Sequence, residues 1–302
     1  MSKTLSLFTC LLCFTCLNAQ VDISLHLKKG ATYCISTTNT ITITTTEKGV
    51  TQQTINQEKG GYCYKVLEDH DSVFLAETRF TYLSQEIRSP GENSSYSSEH
   101  PGNDVMSNVL KNLVNKPFRV WITNDYSWIK TEGLDSIVLH LADGYVLPDS
   151  TKKYLDSVLL EVVKEFTRND ADLTAVLYSK NKILPGNVWT YSASTDHVIP
   201  TNDSLTYYLS ESGGDEFTVT GTGTTQSTYD QTNDGIDISN YDMAGTSEAS
   251  VTYYKNDCWI KKASLKTDLK GEAYIKNIKT GLLRKVPMQI TTEATMEGYR
   301  VY

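Results

Sequence analysis

The sequence has little positive charge and lacks the residue patterns that mark common catalytic and nucleotide-binding sites. It carries 28 basic and 36 acidic residues, a balance that does not favour binding to the phosphate backbone of nucleic acids. It has no G-x-S-x-G, G-x-x-x-x-G-K-[ST] or H-E-x-x-H segment, so the usual hydrolase, phosphate-binding and zinc-protease motifs are missing. We therefore expect a protein that is not an enzyme, needs no cofactor and does not bind nucleic acid.

Long apolar runs are also scarce. The run over residues 5–17, which follows Lys3, is too short for a lasting membrane anchor and is typical of a signal peptide. We expect cleavage between Ala19 and Gln20, with lipid modification of Cys16 as the alternative, although the residues before Cys16 are bulkier than lipoprotein processing prefers. No later stretch reaches eighteen apolar residues, so the sequence predicts an exported protein of the periplasm or cell surface, without a transmembrane helix after cleavage.

Cysteine becomes scarce once the predicted signal is removed, because only Cys34, Cys63 and Cys258 remain. An odd number allows at most one internal disulfide and leaves a spare thiol. Cys34 and Cys63 lie at equal distances from a turn at Lys48-Gly49, and a two-residue hairpin loop there would place them directly opposite each other. A cross-strand disulfide between Cys34 and Cys63 is one expectation, and two buried free thiols are the other.

The alternatives correspond to different strand registers. The register that places the two cysteines opposite each other also puts Ile41 opposite Asn56. A slip of one residue would instead bring Ile41, Ile43 and Ile55 to one face of the hairpin and would separate the cysteines. The sequence does not decide between the two registers.

The two ends of the chain are strand-like and the middle is helical. Residues 21–83 and 189–302 are rich in alternating threonine, tyrosine and β-branched residues, which indicates strands, and residues 89–102 are loop-like. Apolar residues over 106–114 and over 155–166 recur at helical spacing, with Asn103 or Asp104 as the cap of the first helix. A hairpin is predicted between them, over residues 118–130.

This order predicts an α+β fold: a mainly antiparallel, curved, half-barrel-like sheet with a central block of amphipathic helices packed on it. The expected domains are a signal peptide, 1–19, and a single β-rich module, 20–302. Two related halves, 20–147 and 148–302, are a further hypothesis. It depends on the spacing of Gly30 before Tyr33 and of Gly186 before Trp189, with Gly60-Gly61 and Gly213-Gly214 following at similar distances.

Candidate metal ligands are few. The histidines are far apart in the sequence and form no zinc-binding pair. Asp230, Asp234 and Asp237 stand in a segment with oxygen ligands at alternate positions and a glycine at the sixth, as in a calcium loop. Tyr241 occupies the place of the bidentate glutamate that such a loop needs, so we expect no metal site here.

Four segments carry a resemblance to a family of exported, functionally uncharacterised proteins of the Bacteroidota. They are Leu27-Lys28-Lys29-Gly30 leading to Tyr33, Asn115-Lys116-Pro117-Phe118 with Gly133 after it, Leu184-Pro185-Gly186 with Trp189, and Asp257-Cys258-Trp259-Ile260. One departure is Cys258, where a smaller residue is expected before the tryptophan. The layout is also similar, in architecture only, to the half-barrel of periplasmic lipoprotein carriers, in which a curved sheet encloses an apolar cavity.

These observations favour a non-enzymatic binding or carrier module of the cell envelope that encloses an apolar ligand such as a lipid or acyl chain. The helix face formed by Leu155, Leu159, Val162 and Phe166 is the candidate lining. The alternative is a structural module that contacts an envelope protein or glycan and has no ligand cavity. The sequence does not identify the ligand or the partner.

Overall fold

The protein folds around one large antiparallel β-sheet. The computed structural model describes residues 22–141, 177–178, 188–195, 199–227, 238–276 and 283–301. Within them the sheet has 12 strands, and it is open, with β6 at one edge and β7 at the other.

The strands are β1 (Thr32–Glu47), β2 (Val50–His70), β3 (Val73–Arg88), β4 (Asn93–Ser97), β5 (Phe118–Thr123), β6 (Trp128–Glu132), β7 (Val188–Thr195), β8 (Thr201–Gly213), β9 (Glu216–Ser227), β10 (Ile238–Tyr254), β11 (Ile260–Lys276) and β12 (Leu283–Val301). The helices are α1 (Val105–Leu113) and α2 (Leu134–Leu139). The strand order is β6-β5-β3-β2-β1-β12-β11-β10-β9-β8-β7, and the short β4 pairs with β3. Sequential strands are therefore neighbours almost everywhere, and the pairing of β1 with β12 joins the two ends of the chain.

The predicted α+β fold with a central block of helices is wrong. In the described part of the chain, helix is confined to α1 and α2, and the residues between and around them belong to the sheet. The prediction gave too much weight to helices in the middle of the chain. It also underestimated the strands, several of which run for 16 to 21 residues. The predicted helix over 155–166 lies outside the described residues.

The first helix follows the sequence signals closely. Its N-cap is Asp104, whose carboxylate accepts a hydrogen bond from the Ser107 amide at 2.6 Å. Val109, Leu110 and Leu113 are buried on one face of the helix, as the 3.6-residue period requires. The prediction of this helix and of its cap is confirmed, and so is that of the β5–β6 hairpin.

The β1–β2 hairpin has the register that places the cysteines opposite each other. Cys34 pairs with Cys63, Ile41 with Asn56 and Ile43 with Thr54 across the turn at Lys48-Gly49. The sulfurs of Cys34 and Cys63 form a disulfide, with the Cα atoms 4.1 Å apart. The bridge therefore fastens β1 to β2, near the middle of the sheet.

The two glycine pairs on which the hypothesis of two related halves depends have different roles. Gly60-Gly61 lies inside β2, next to a register shift in its pairing with β3, whereas Gly213 ends β8 and Gly214 adopts a positive φ in the following turn. The structure thus gives these pairs no common local geometry.

The sheet must be strongly curved, because aromatic residues from distant strands meet. Tyr126 follows β5, and Tyr253 is the penultimate residue of β10. The two strands are six strand steps apart, which would be about 29 Å in a flat sheet. Their ring centres lie 5.8 and 5.6 Å from the same ring, that of Tyr178. Even allowing for the length of three side chains, the strands must wrap around one face, which we call the inner face.

Candidate functional site

The inner face is defined by the alternation of side chains along each strand. On β1 it carries Tyr33, Ile35, Asn39, Ile41 and Ile43, the first two of which are in the main core. The opposite, outer face carries exposed ion pairs such as Lys266–Glu293 at 2.7 Å. The inner face is therefore the face on which an apolar ligand would be shielded from water.

An aromatic core fills one end of the inner face. Trp259 is fully buried, and its ring centre lies 5.3 Å from that of Tyr33, 5.9 Å from that of Tyr64 and 6.0 Å from that of Tyr126. The Trp259 indole N–H donates to the carbonyl oxygen of Cys34. Rings packed in this way leave no space for a ligand, so this end serves stability.

A turn of three residues holds Trp259 in place. The carboxylate of Asp257 is fully buried, accepts a hydrogen bond from the Trp259 amide, and forms an ion pair with Arg300 at 2.9 Å. The guanidinium of Arg300 also lies 3.8 Å from the ring centre of Tyr254, a favourable cation–π geometry. Cys258 has a φ of 53°, a left-handed conformation that glycine or asparagine adopts more readily, which fits the expectation of a smaller residue there.

A second apolar cluster lies on the inner face beyond the aromatic core. Its buried members are Ile199, Met243, Leu269 and Ile290, and Ile41, Ile43, Tyr241 and Met288 are partly buried against them. The cross-strand pairs Ile43–Ile290 and Leu269–Ile290 hold it together. This cluster is apolar and four of its eight members are only partly buried, so it is the best candidate for a ligand-binding surface.

A polar row borders the second apolar cluster on its β1–β3 side. It consists of Asn39, Asn56, Glu58 and Gln85, and the register aligns Asn39 with Glu58 and Glu58 with Gln85. The side-chain amides of Asn56 and Gln85 both donate to the same Glu58 carboxylate oxygen, at 3.3 and 3.2 Å. Polar and apolar side chains therefore adjoin on one face, as an amphipathic ligand would require.

Three residues before β1 form a polar group that the sequence analysis missed. The Ser24 hydroxyl donates to the Asp22 carboxylate, and the His26 Nε2 atom lies 3.3 Å from the Ser24 oxygen and 3.7 Å from the other Asp22 oxygen. In a Ser-His-Asp triad the histidine stands between the serine and the carboxylate. Here the Ser24 hydroxyl donates directly to the Asp22 carboxylate, so the histidine does not stand between them as it does in a triad. The D-x-S-x-H spacing of these three residues was the sequence signal from which the group could have been predicted.

The thiol of Cys258 lies next to this group and donates to the Asp22 carbonyl oxygen at 3.0 Å. Burial, with smaller contributions from Asp22 and Asp257, raises the pKa of Cys258 to about 12. The thiolate is the nucleophilic form of cysteine, and it is suppressed at neutral pH. Cys258 therefore has the environment of a core residue.

Cys258 should consequently resist alkylation in the folded protein. At pH 8, without reductant, we expect iodoacetamide to modify the peptide that contains Cys258 at least about a hundredfold more slowly in the native protein than in urea, because the raised pKa and burial both suppress attack. Peptide mapping by mass spectrometry measures both rates. Equal rates in the two conditions would show that the thiol is accessible and that its assignment to the core is wrong.

The other predicted site residues lie outside the part of the chain that the structure describes. They are the helix face Leu155, Leu159, Val162 and Phe166, the calcium candidates Asp230, Asp234 and Asp237, and the cleavage site Ala19 and Gln20 with the alternative anchor Cys16. Within the described ranges, no group of three or more histidine, cysteine or acidic side chains is placed to hold a metal ion.

These features define a class of protein: an open antiparallel sheet with one packed inner face and a charged outer face. The family model for the Family of unknown function (DUF6263) matches residues 71–260. This is more than half of the sequence, so the chain belongs to that family. The search among curated proteins found no match.

A structure described as "Lipid-protein interactions in lipovitellin" has a similar fold, with a TM-score of 0.51 and 12% identity. The match covers 91% of this chain and 25% of the lipovitellin chain, so the protein spans about a quarter of that chain's length. An outer membrane channel from Pseudomonas putida F1 matches over 91% of this chain and 98% of its own, but with a TM-score of 0.22 and 8% identity. That score is too low to carry an argument.

No helix among the described residues is both long and apolar enough to cross a membrane.

Proposed function

We propose that the protein is a non-enzymatic binding or carrier module of the cell envelope, and that its inner face holds the hydrocarbon part of a lipid or acyl chain. The observation that carries the proposal is the second apolar cluster, which shares the concave face with the aromatic core and has four members that are only partly buried. Concave, mainly apolar surfaces with a few polar groups are the usual form of small-molecule sites.

The composition of the cluster suits a flexible chain. Met243 and Met288 contribute unbranched thioether side chains, which adapt their shape to different apolar partners. Ile41 and Ile43 extend the surface along β1, and Ile290 of β12 lies directly beside Ile43. A hydrocarbon chain lying across these strands would bury apolar surface worth about 25 cal/mol per Å².

The fold likeness to lipovitellin agrees with this proposal. The words "lipid-protein interactions" describe lipovitellin, and at 12% identity the likeness is one of fold. It supports the idea that an open antiparallel sheet of this kind can present a lipid-binding face.

The proposed location follows from the predicted signal peptide. Export to the periplasm or cell surface, with cleavage before Gln20, would place the module where lipids and acylated molecules pass between membranes.

A charged substitution in the second apolar cluster should weaken ligand binding. We expect Ile43→Asp to weaken the binding of 11-(dansylamino)undecanoic acid at least tenfold, because an ionised carboxylate would have to lose its water beside the hydrocarbon chain. Fluorescence titration of the dansyl group measures the dissociation constant of each variant.

The matched control is Thr42→Asp. Thr42 is the neighbour of Ile43 on β1 and is similarly half-buried, but it lies on the outer face. Its binding curve should match that of the wild type. If both variants bind the probe as tightly as the wild type, the second apolar cluster is not the binding surface.

The open edges of the sheet favour a second candidate, a module that contacts another envelope protein by strand addition. Ile129 of β6 and Val188 of β7 are 58% and 65% exposed, respectively. β6 and β7 are the two edge strands, and among the described strands each pairs with one neighbour only. Free edges of this kind accept an added strand. This function needs no ligand cavity, and the Ile43→Asp variant would leave it intact.

A further inference from the structure

Two buried amide oxygens in the polar row have no hydrogen-bond partner. They are Oδ1 of Asn39 and Oδ1 of Asn56, and neither accepts a hydrogen bond from any residue that the structure describes. The orientation of the Asn56 amide is set by its Nδ2 atom, which donates to Glu58, so its oxygen must point elsewhere. A buried acceptor without a donor is costly and uncommon in folded proteins.

The two asparagines are diagonal neighbours in the sheet and adjoin the second apolar cluster. Asn39 is opposite Glu58 and Ile41 is opposite Asn56, so Asn39 and Asn56 are diagonal neighbours on the inner face. Such pairs are separated by about 7–8 Å between backbone positions and less between side chains. Ile41, which follows Asn39 on the same face of β1, belongs to the second apolar cluster.

Resting on the function proposed above, we infer that Asn39 and Asn56 form a head-group subsite that accepts hydrogen bonds from an amphipathic ligand. The hydrocarbon chain of this ligand lies on the second apolar cluster, and its head group carries at least two hydroxyl or N–H donors. A glycerol head with two free hydroxyl groups is of this class. An ester without free hydroxyl groups is not.

The physical basis of this selectivity is the cost of an unpaired polar group. A head group that can only accept hydrogen bonds leaves both asparagine oxygens without donors, whereas a donor head group satisfies them. A site with unpaired acceptors discriminates strongly in favour of the ligand that pairs with them. We therefore expect the wild-type protein to bind a donor head group about tenfold more tightly than an acceptor-only analogue.

The test compares two ligands with the same acyl chain, 1-monolaurin and methyl laurate, by displacement of 11-(dansylamino)undecanoic acid. In the wild type, 1-monolaurin should bind about tenfold more tightly than methyl laurate. In Asn39→Leu and in Asn39→Leu/Asn56→Leu the preference should fall stepwise towards none, while the affinity for methyl laurate is kept or raised.

The stability of the variants separates a binding role from a structural one. Because Asn39 Oδ1 has no partner to lose, Asn39→Leu should leave the thermal midpoint unchanged or raised. The matched control is Gln57→Leu, next to Asn56 but on the outer face, where the amide already donates to Thr40 at 3.1 Å. That variant should retain the preference for 1-monolaurin.

The outcomes distinguish this inference from the proposed function. If the wild type binds both laurate compounds equally, or if Asn39→Leu/Asn56→Leu retains the preference for 1-monolaurin, the head-group subsite is wrong and the apolar site stands. If the wild type binds neither compound nor the dansyl probe, the proposed function itself is wrong.

Discussion

Replacing Asp257 with alanine is expected to lower the free energy of unfolding by about 3–5 kcal/mol. The variant leaves the Arg300 guanidinium, which is only 18% exposed, without its carboxylate at 2.9 Å. It also removes the side-chain acceptor of the Trp259 amide. Since Trp259 stands at the centre of the aromatic core, the loss should be seen as a lower urea midpoint, with tryptophan fluorescence as the signal.

Two controls identify the cause of this loss. Asp257→Leu combined with Arg300→Met should be less destabilised than Asp257→Ala, because it leaves no unpaired buried charge. Glu293→Ala removes an exposed ion pair with Lys266 and should have no measurable effect, since exposed pairs contribute little. A midpoint for Asp257→Ala equal to that of the wild type would show that the buried pair does not support the turn.

Replacing Gly245 with alanine is expected to cost about 3 kcal/mol or to prevent folding. A Cβ atom at this position of β10 would overlap the carbonyl oxygen of Asp268 on the neighbouring strand β11, and one at Gly271 of β11 would overlap the carbonyl oxygen of Asp242. Both contacts are with backbone atoms, which cannot rotate away. Glycine inside a strand permits such a close approach of a neighbouring backbone.

Gly213→Ala is the matched control for Gly245→Ala. Gly213 also lies in a strand, but a Cβ atom there would have no heavy atom within 4 Å. Its thermal midpoint should be unchanged or slightly raised, because alanine reduces the freedom of the unfolded chain. If Gly245→Ala is as stable as Gly213→Ala, the close approach of β10 and β11 is not a requirement of the fold.

The sequence predicted features that depend on nearby residues. The turn at Lys48-Gly49 offered the pairing of Cys34 with Cys63 as one of two expectations, and the structure has that pairing. Asn103 and Asp104 were the two candidates for the cap of α1, and the cap is Asp104. Both depend on residues within a single hairpin or helical turn, so spacing and residue type reduce each of them to two alternatives. Alternation likewise located most strands, since threonine and tyrosine favour a pleated, half-wet surface.

Such local signals do not predict the fold as a whole. Strand β4 consists of asparagine, serine and tyrosine and was predicted as loop, yet it pairs with β3, and the neighbouring Ser98 hydroxyl accepts a hydrogen bond from the Leu83 amide. The pairing of β1 with β12 joins residues that are 243 to 269 positions apart, from Thr45–Met288 to Thr32–Val301. Neither pairing leaves a pattern in its own segment, because the partner supplies the stabilisation.

The candidate site was unpredictable for the same reason. Ile43, Met243 and Ile290 are scattered along the chain and meet only through the order of β1, β12, β11 and β10. Asn39 and Asn56 become neighbours only in the observed register. With the alternative register of the hairpin, the polar row would not exist. A site on the face of a sheet can be identified only when the order and register of the strands are known.

Native mass spectrometry tests the central claim most directly. The protein, purified without detergent from a host with intact membranes, should carry an additional mass of an acyl-chain compound, and organic extraction should remove this mass. Ile43→Asp should be isolated without it, and Thr42→Asp should retain it. A wild-type protein that has only its polypeptide mass, and that takes up no lipid when mixed with phospholipid vesicles, would contradict the assignment of the inner face as a lipid-binding surface.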